Sequence, residues 1–229
     1  MTRVMTYNIR MGGRNGQPLH EVVRAAAPDV LLVNECPKTP LLWKRRCRRL
    51  ARTWGMHLVT GGRPAGSNMI LVRPGIGVKL ASSIVLPQPL FDPRRGIAAA
   101  QLRVRGMLLG VVSCHLSLDR DRRQVEIAAV LAAADRLRGT VVVAGDLNER
   151  PDGPAWARLR RAGFRDHGSR AWLTFPADAP DRRIDGLLVR GGMQVRHHGD
   201  PLVPEPLLVA ASDHRPVLAM LDAPGPPMC

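Results

Sequence analysis

The chain has 229 residues, 45% of them hydrophobic, and 34 Lys and Arg against 19 Asp and Glu give it a formal net charge of +15. This length suits one domain with one continuous core, and the apolar content excludes a chain disordered beyond its termini. The charge favours polyphosphates, nucleic acid or an anionic membrane, though arginines scattered along the chain also suit a basic surface with no dedicated partner; aromatics at 3%, not interleaved with basic residues, disfavour base-stacking recognition of single strands.

Residues 4–9 form an apolar strand-like run, broken by the Gly12-Gly13 pair. Residues 20–27 have helical spacing and stop at Pro28, and the wholly apolar run 30–33 suits a strand buried on both faces. Residues 40–54 alternate Leu and Trp with Arg clusters, which predicts a surface helix with a cationic face. Strands are predicted over 69–72, 78–85, 97–104 and 107–114, separated by Pro and Gly as in the hairpins and meanders of an antiparallel sheet. The Ala- and Leu-rich run 121–137 predicts a helix ended by Gly139 and followed by a buried strand at 141–144. A short helix around 154–161 and strands at 184–189 and 216–221 complete one domain over 1–222, with 223–229 expected as a disordered tail. No repeat of fixed period is present, so the mixture suggests two mixed sheets packed together with helices outside.

Cys36, Cys47, Cys114 and Cys229 show neither a CxxC pair nor metal-ligand spacing, so free thiols are expected, Cys36 and Cys114 as small buried hydrophobes. The start of the chain runs directly into a strand without a signal-peptide pattern, and no apolar run is long enough to span a bilayer. A soluble cytoplasmic protein with no membrane span and no obligate protein partner is expected.

Polar residues gather at the ends of the predicted strands, where a rigid scaffold presents groups to a cleft. They are Asn8 in TYNIR, Glu35 in VLLVNE, His115 in VVSCHLS, Asp146 and Asn148 in VVVAGDLNE, Asp185 in RRIDGLLV, and Asp213-His214 in SDHRPVLA. In an extended segment Asp146 and Asn148 would point to one side, where a carboxylate can orient water and an amide can steady it or a phosphate; Gly-Asp-x-Asn also suits a turn. His214 becomes chemically useful if a carboxylate fixes its far nitrogen, and Asp185 is the candidate; Ser212 or Asp213 also suits a turn cap. Glu35 closes an apolar strand, a costly place for a charge unless it meets a cation or a cleft, and one hard carboxylate with few other ligands suits Mg²⁺.

In this order, from Tyr7 to Pro216, the residues resemble the endonuclease/exonuclease/phosphatase family. The resemblance implies a four-layer α/β sandwich, two central mixed β-sheets packed face to face with helices outside. It further implies a metal at Glu35, with Asn8 and Asp213 near the same ion. Asp146 would activate the attacking water and Asn148 would steady the nucleophile or phosphate. His214, paired with Asp185, would contact the scissile phosphate, and His115 would contact it too. Asn68 in GSNMILV and Arg95 in RRGIAAAQL lie in segments similar to substrate-contact regions, and each also suits a turn or surface residue. Asn34-Glu35 stands in place of the common Gln-Glu, and Gly186 replaces a frequent aromatic, suggesting a trimmed cleft wall near Asp185.

The expected activity is Mg²⁺-dependent hydrolysis of a phosphate ester, with Mn²⁺ as a substitute, by in-line attack of water and without a covalent enzyme intermediate. The phosphate-ester substrate could be DNA or RNA, making the enzyme a phosphodiesterase or nuclease. The alternatives are a small-molecule phosphatase of the inositol type, a phospholipid phosphodiesterase, and, in another class, a non-catalytic nucleic-acid-binding module.

Overall fold

The computed structural model describes residues 1–12, 16–89, 92–168 and 171–223. Gly13, Cys229 and the expected tail beyond Ala223 lie outside the described residues.

Two six-stranded mixed sheets form the centre. The first runs β11 (Gln194–Gly199), β12 (Val217–Asp222), β1 (Thr2–Asn8), β2 (Val30–Asn34), β4 (Asn68–Val72), β3 (His57–Gly62). The second runs β5 (Gly77–Val85), β6 (Gly96–Val104), β7 (Met107–His115), β8 (Thr140–Asp146), β10 (Asp185–Arg190), β9 (Arg165–Asp166). Helices α1 (Gly16–Ala26), α2 (Trp43–Thr53) and α5 (Glu205–Ala211) cover the outer face of the first sheet, and α3 (Arg120–Asp135) and α4 (Pro154–Arg161) that of the second.

Strand alternation sorts side chains into three apolar layers. In β1 and β2, Met5, Leu31 and Val33 pack under the helices, whereas Val4, Val30 and Leu32 face the other sheet. In β7 and β8, Val112, Val141 and Val143 face outward, whereas Leu109, Val111, Val142 and Ala144 face the first sheet. Helix α3 starts where the Asp119 carboxylate accepts the Arg122 N–H at 2.9 Å, an N-cap that satisfies one free donor.

The helices and strands expected at 20–27, 40–54, 121–137 and 154–161, and at the apolar runs, appear with shifted ends. Strand β4 differs in its partners. Its register joins it to β2 and β3, while the expected meander is β5, β6 and β7 in the other sheet, so the Pro74-Gly75 turn carries the chain between sheets. Strands β3, β9 and β11 and helix α5 are not among the elements expected above. Strand β11 is a half-buried edge with charged residues, β9 has two residues, and α5 has seven with Pro near its start. Cys36, Cys47 and Cys114 are free and buried, and no helix among the described residues is long and apolar enough to cross a membrane.

Between Ala144 and Asp146 the backbone needs glycine. Gly145 has φ +149°, and a Cβ there would sit 1.8 Å from the Cys114 carbonyl oxygen, its parallel partner in β7. Gly145→Ala is expected to cost about 3 kcal/mol and lower the melting temperature by about 6–12 °C, measurable by scanning calorimetry.

Candidate active site

The rows of side chains that face between the sheets end in polar residues at one edge. Asn8 continues the row of Val4, Asn34 that of Val30 and Leu32, and Asp146 that of Val142 and Ala144. His115 ends the row of Leu109 and Val111, and Asp185 begins that of Leu187 and Val189. Register brings them level. Asn8 pairs with Asn34 and His115 with Asp146 in parallel, and Asp185 opposes Asp146 in antiparallel.

Contacts at the seam are direct. Asn8 Nδ2 donates to Asp146 Oδ2 at 3.1 Å and Glu35 Oε1 at 3.3 Å, and lies 3.4 Å from His214 Nε2. His214 Nδ1 donates to Asp185 Oδ2 at 2.9 Å, and its Nε2 is 3.8 Å from Asp146 Oδ2. His115 Nε2 stands 3.3 Å from the same Asp146 oxygen. Asp146, Asp185 and His214 are buried and offer ligand atoms within 4.8 Å of one another, a group with the composition of a metal site. Asp213 is half-buried and approaches Arg10 Nε at 3.5 Å.

The backbone of the GDLN segment is not extended at Asn148, whose φ is +48°. A tight turn results, closed by the Asn148 N–H on Asp146 Oδ1 at 3.0 Å, and the Asn148 amide donates to the Leu116 carbonyl at 2.8 Å. Asn68 is fully buried. Its Nδ2 donates to the Ala65 and Gly96 carbonyls at 2.9 and 2.8 Å, and its Oδ1 accepts from Asn34, so no amide hydrogen is left for a ligand. Arg95 is half-buried, and the charges of Asp146, Glu126 and Glu35 act on it. Gly186 does not trim the cleft. It faces outward, where a Cβ would meet the Trp156 ring at 2.7 Å, so its absence makes room for that indole.

Several supporting residues carry no motif. Asn34 bridges the sheets, accepting the Asp146 N–H at 2.9 Å and donating to the Cys114 carbonyl at 2.9 Å. Thr174 Oγ1 accepts the Ile184 and Asp185 N–H groups, each at 3.1 Å. The Glu126 carboxylate takes Ser117 N–H at 2.7 Å and Oγ–H at 2.5 Å, fixing the loop after His115. Glu149 accepts the Ala155 N–H at 2.6 Å beyond Asn148. Phe175 lies 4.7 Å from the His214 ring. The placement of Asn34 beside Glu35 was the one available signal, since a polar residue on the inward row of a buried strand needs a partner.

Charge follows burial. Burial raises the Asp146 carboxyl above its ordinary value and Asp185 adds to this, against the pull of His115, His214 and the Asn148 N–H. Burial draws His115 down to about 4, outweighing Asp146. At His214 burial works downward too, but the charge and hydrogen bond of Asp185, with Asp146 and Asp213, carry it up to about 9. At neutral pH the seam therefore holds a neutral His115 and a protonated His214.

The model of the Endonuclease/Exonuclease/phosphatase family matches residues 5–214. An endonuclease/exonuclease/phosphatase structure from Beutenbergia cavernae DSM 12333 is 23% identical with a TM-score of 0.73, over 98% of this chain and 72% of that one. A mannosyl-6-phosphatase from Bacteroides thetaiotaomicron VPI-5482 is 16% identical with a TM-score of 0.79, over 97% and 100%. ANGEL2, a 2',3'-cyclic phosphatase in complex with adenosine-2',3'-vanadate, is 14% identical with a TM-score of 0.74, over 95% and 94%. At these identities the likeness is one of fold. No curated protein matches the chain.

In EDTA, NMR titration should place His214 near 9, and Asp185→Asn should lower it, because burial is then opposed only by the charges of Asp146 and Asp213. The stabilising contribution of His214 is fully present below pH 6.5 and lost as pH rises through about 9. That of neutral His115 is present above 6.5 and lost as pH falls toward about 4, and denaturant unfolding across this range reads both limbs.

Proposed function

Since the chain belongs to the endonuclease/exonuclease/phosphatase family, we propose that it is a Mg²⁺-dependent hydrolase of phosphate esters, acting foremost on phosphodiesters as a nuclease. The observation that carries this is the meeting of Asp146, Asn8, Glu35 and the Asp185-paired His214 at one seam.

The donor set fits a hard divalent cation. Glu35 and Asp146 each present a carboxylate oxygen to one Asn8 amide, and neither makes an ion pair with Lys or Arg among the described residues. Glu35, with Asn8 and Asp213, would hold Mg²⁺, or Mn²⁺ in its place. His214 fits less well as a ligand, because its Nδ1 is committed to Asp185 and its raised pKa keeps Nε2 protonated. When bound, the ion supplies positive charge to the phosphate oxygens and neutralises the carboxylates.

The chain's own residues do the rest. Asp146, made more basic by burial, orients a water and takes its proton. The Asn148 turn holds that carboxylate, and its amide steadies the water. The His214 Nε2–H, held in place by Asp185, donates to the phosphoryl oxygen as charge develops there. His115 spends its Nε2 on Asp146, so we assign it to positioning that carboxylate beside any contact with phosphate. Arg95 adds positive charge next to the acids. In one displacement the water oxygen bonds to phosphorus as the ester P–O bond breaks, and the departing alkoxide takes a proton from solvent, with no covalent enzyme intermediate.

Plasmid nicking and phosphate release from a panel of esters, with Mg²⁺ or EDTA, test the proposal. Wild type should nick only with Mg²⁺, and Asp146→Asn and His214→Gln should each lower turnover by about 10²–10⁴-fold while still unfolding in one cooperative transition, His214→Gln at a lower temperature because it leaves the buried Asp185 without its cation. Turnover of small monoesters alone would make the enzyme a phosphatase. Turnover of nothing would favour the non-catalytic nucleic-acid-binding module.

A further inference from the structure

Beside the seam lies a hollow of about 1100 Å³ bordered by Arg150, Arg160, Arg165, Arg182 and Arg183, none of which has a role above. Guanidinium groups crowded around one depression repel one another unless anions compensate. Asp166 neutralises Arg183 through two hydrogen bonds of 2.9 and 2.7 Å, and Asp152 is the other acid of the lining. Asp181, outside the lining, pairs with Arg182 at 3.5 Å, and an excess of positive charge still remains. Arg150 and Arg165 are exposed, and neither makes a side-chain hydrogen bond or ion pair among the described residues. Arg183 is 3% exposed and its Nε has no partner among those residues, a buried donor at the wall of the hollow.

The hollow adjoins the chemistry. The Arg182 guanidinium stands 5.0 Å over the Phe175 ring, and that ring lies 4.7 Å from the His214 imidazole. Arg150 follows Asn148 by two residues. A substrate with its reacting phosphate at His214 would therefore carry its neighbouring groups across Phe175 into the arginines.

We infer that this hollow is a second anion site that takes the phosphates flanking the scissile one in a polynucleotide strand. The inference rests on the phosphoesterase reading above. Guanidinium groups match phosphate oxygens in pairs, and the volume exceeds what a single phosphate fills. Phe164, the only Phe, Tyr or Trp of the lining, is buried, which leaves His167 as its one exposed ring, so the arginines dominate and the site tracks the backbone more than the base.

The test reads binding apart from turnover. Anisotropy of a short labelled oligothymidylate is measured in EDTA for wild type, for Arg150→Gln/Arg165→Gln/Arg182→Gln, and for Arg45→Gln/Arg48→Gln/Arg52→Gln, which removes equal charge from the exposed face of α2. The hollow variant should lose at least about ten-fold in affinity, and its slope of log K against log salt should shrink by about 2, while the α2 variant loses several-fold less. With Mg²⁺, its kcat/KM for the strand should fall by about the same factor relative to that for bis(p-nitrophenyl) phosphate. Equal losses in both variants, or none in the hollow variant, would overturn the site. Displacement of the strand by inorganic pyrophosphate at concentrations below the strand's own Kd would overturn the strand as occupant and leave a small bisphosphate. A wild type that binds through the hollow yet turns over nothing would refute the catalytic reading alone.

Discussion

The Asn34 side chain ties the two sheets together at the edge where the polar residues meet. It takes the Asp146 N–H from one strand of the second sheet and gives a hydrogen bond to the Cys114 carbonyl of the next. Its other contact, to Asn68 at 2.7 Å, anchors it to the start of β4, and Asn68 in turn holds the loop at Ala65 and the start of β6 at Gly96. Each of these groups is buried, and an unpaired buried polar group costs about 1–3 kcal/mol, so the network tolerates one arrangement of the sheets. That arrangement puts the Asp146 carboxylate of one sheet within hydrogen-bond reach of Asn8 of the other.

The same geometry creates an electrostatic problem that chemistry can exploit. Asp146 and Asp185 are nearly inaccessible, and Glu35 stands beside them. A single imidazolium, His214, offsets part of this charge, with Asn8 sharing its amide among the acceptors. The interior thus favours a cation, while the rest of the molecule carries the excess of Lys and Arg behind the net charge of +15. On the proposed function, a basic exterior would draw a polyanion inward, and the acidic seam with a divalent ion would receive one phosphate of it.

Much of this was legible in the sequence because strands and polar residues carry a local signal. Asn8, Glu35, His115, Asp146, Asp185 and His214 each end or adjoin an apolar run, and the structure brings all six together. The partnership of His214 with Asp185 is visible as a chemical need, though the residues lie 29 positions apart. What was not legible depends on tertiary placement. A turn at Gly-Asp-x-Asn stood beside the extended alternative, and only pairing and packing decide for it and turn Gly186 outward. Asn68 looks like a turn or contact residue until its neighbours consume its amide. Edge strands β3 and β11 are half-exposed and mixed in character, so no periodicity marks them.

In the proposed mechanism water attacks phosphorus once, with Asp146 orienting it and His214 receiving the developing charge. The configuration at phosphorus tests this most directly, using a chiral phosphorothioate diester hydrolysed in oxygen-18 water with Mg²⁺. Inversion at phosphorus is the predicted result. Retention would require two displacements and a covalent enzyme intermediate, and would rule this mechanism out.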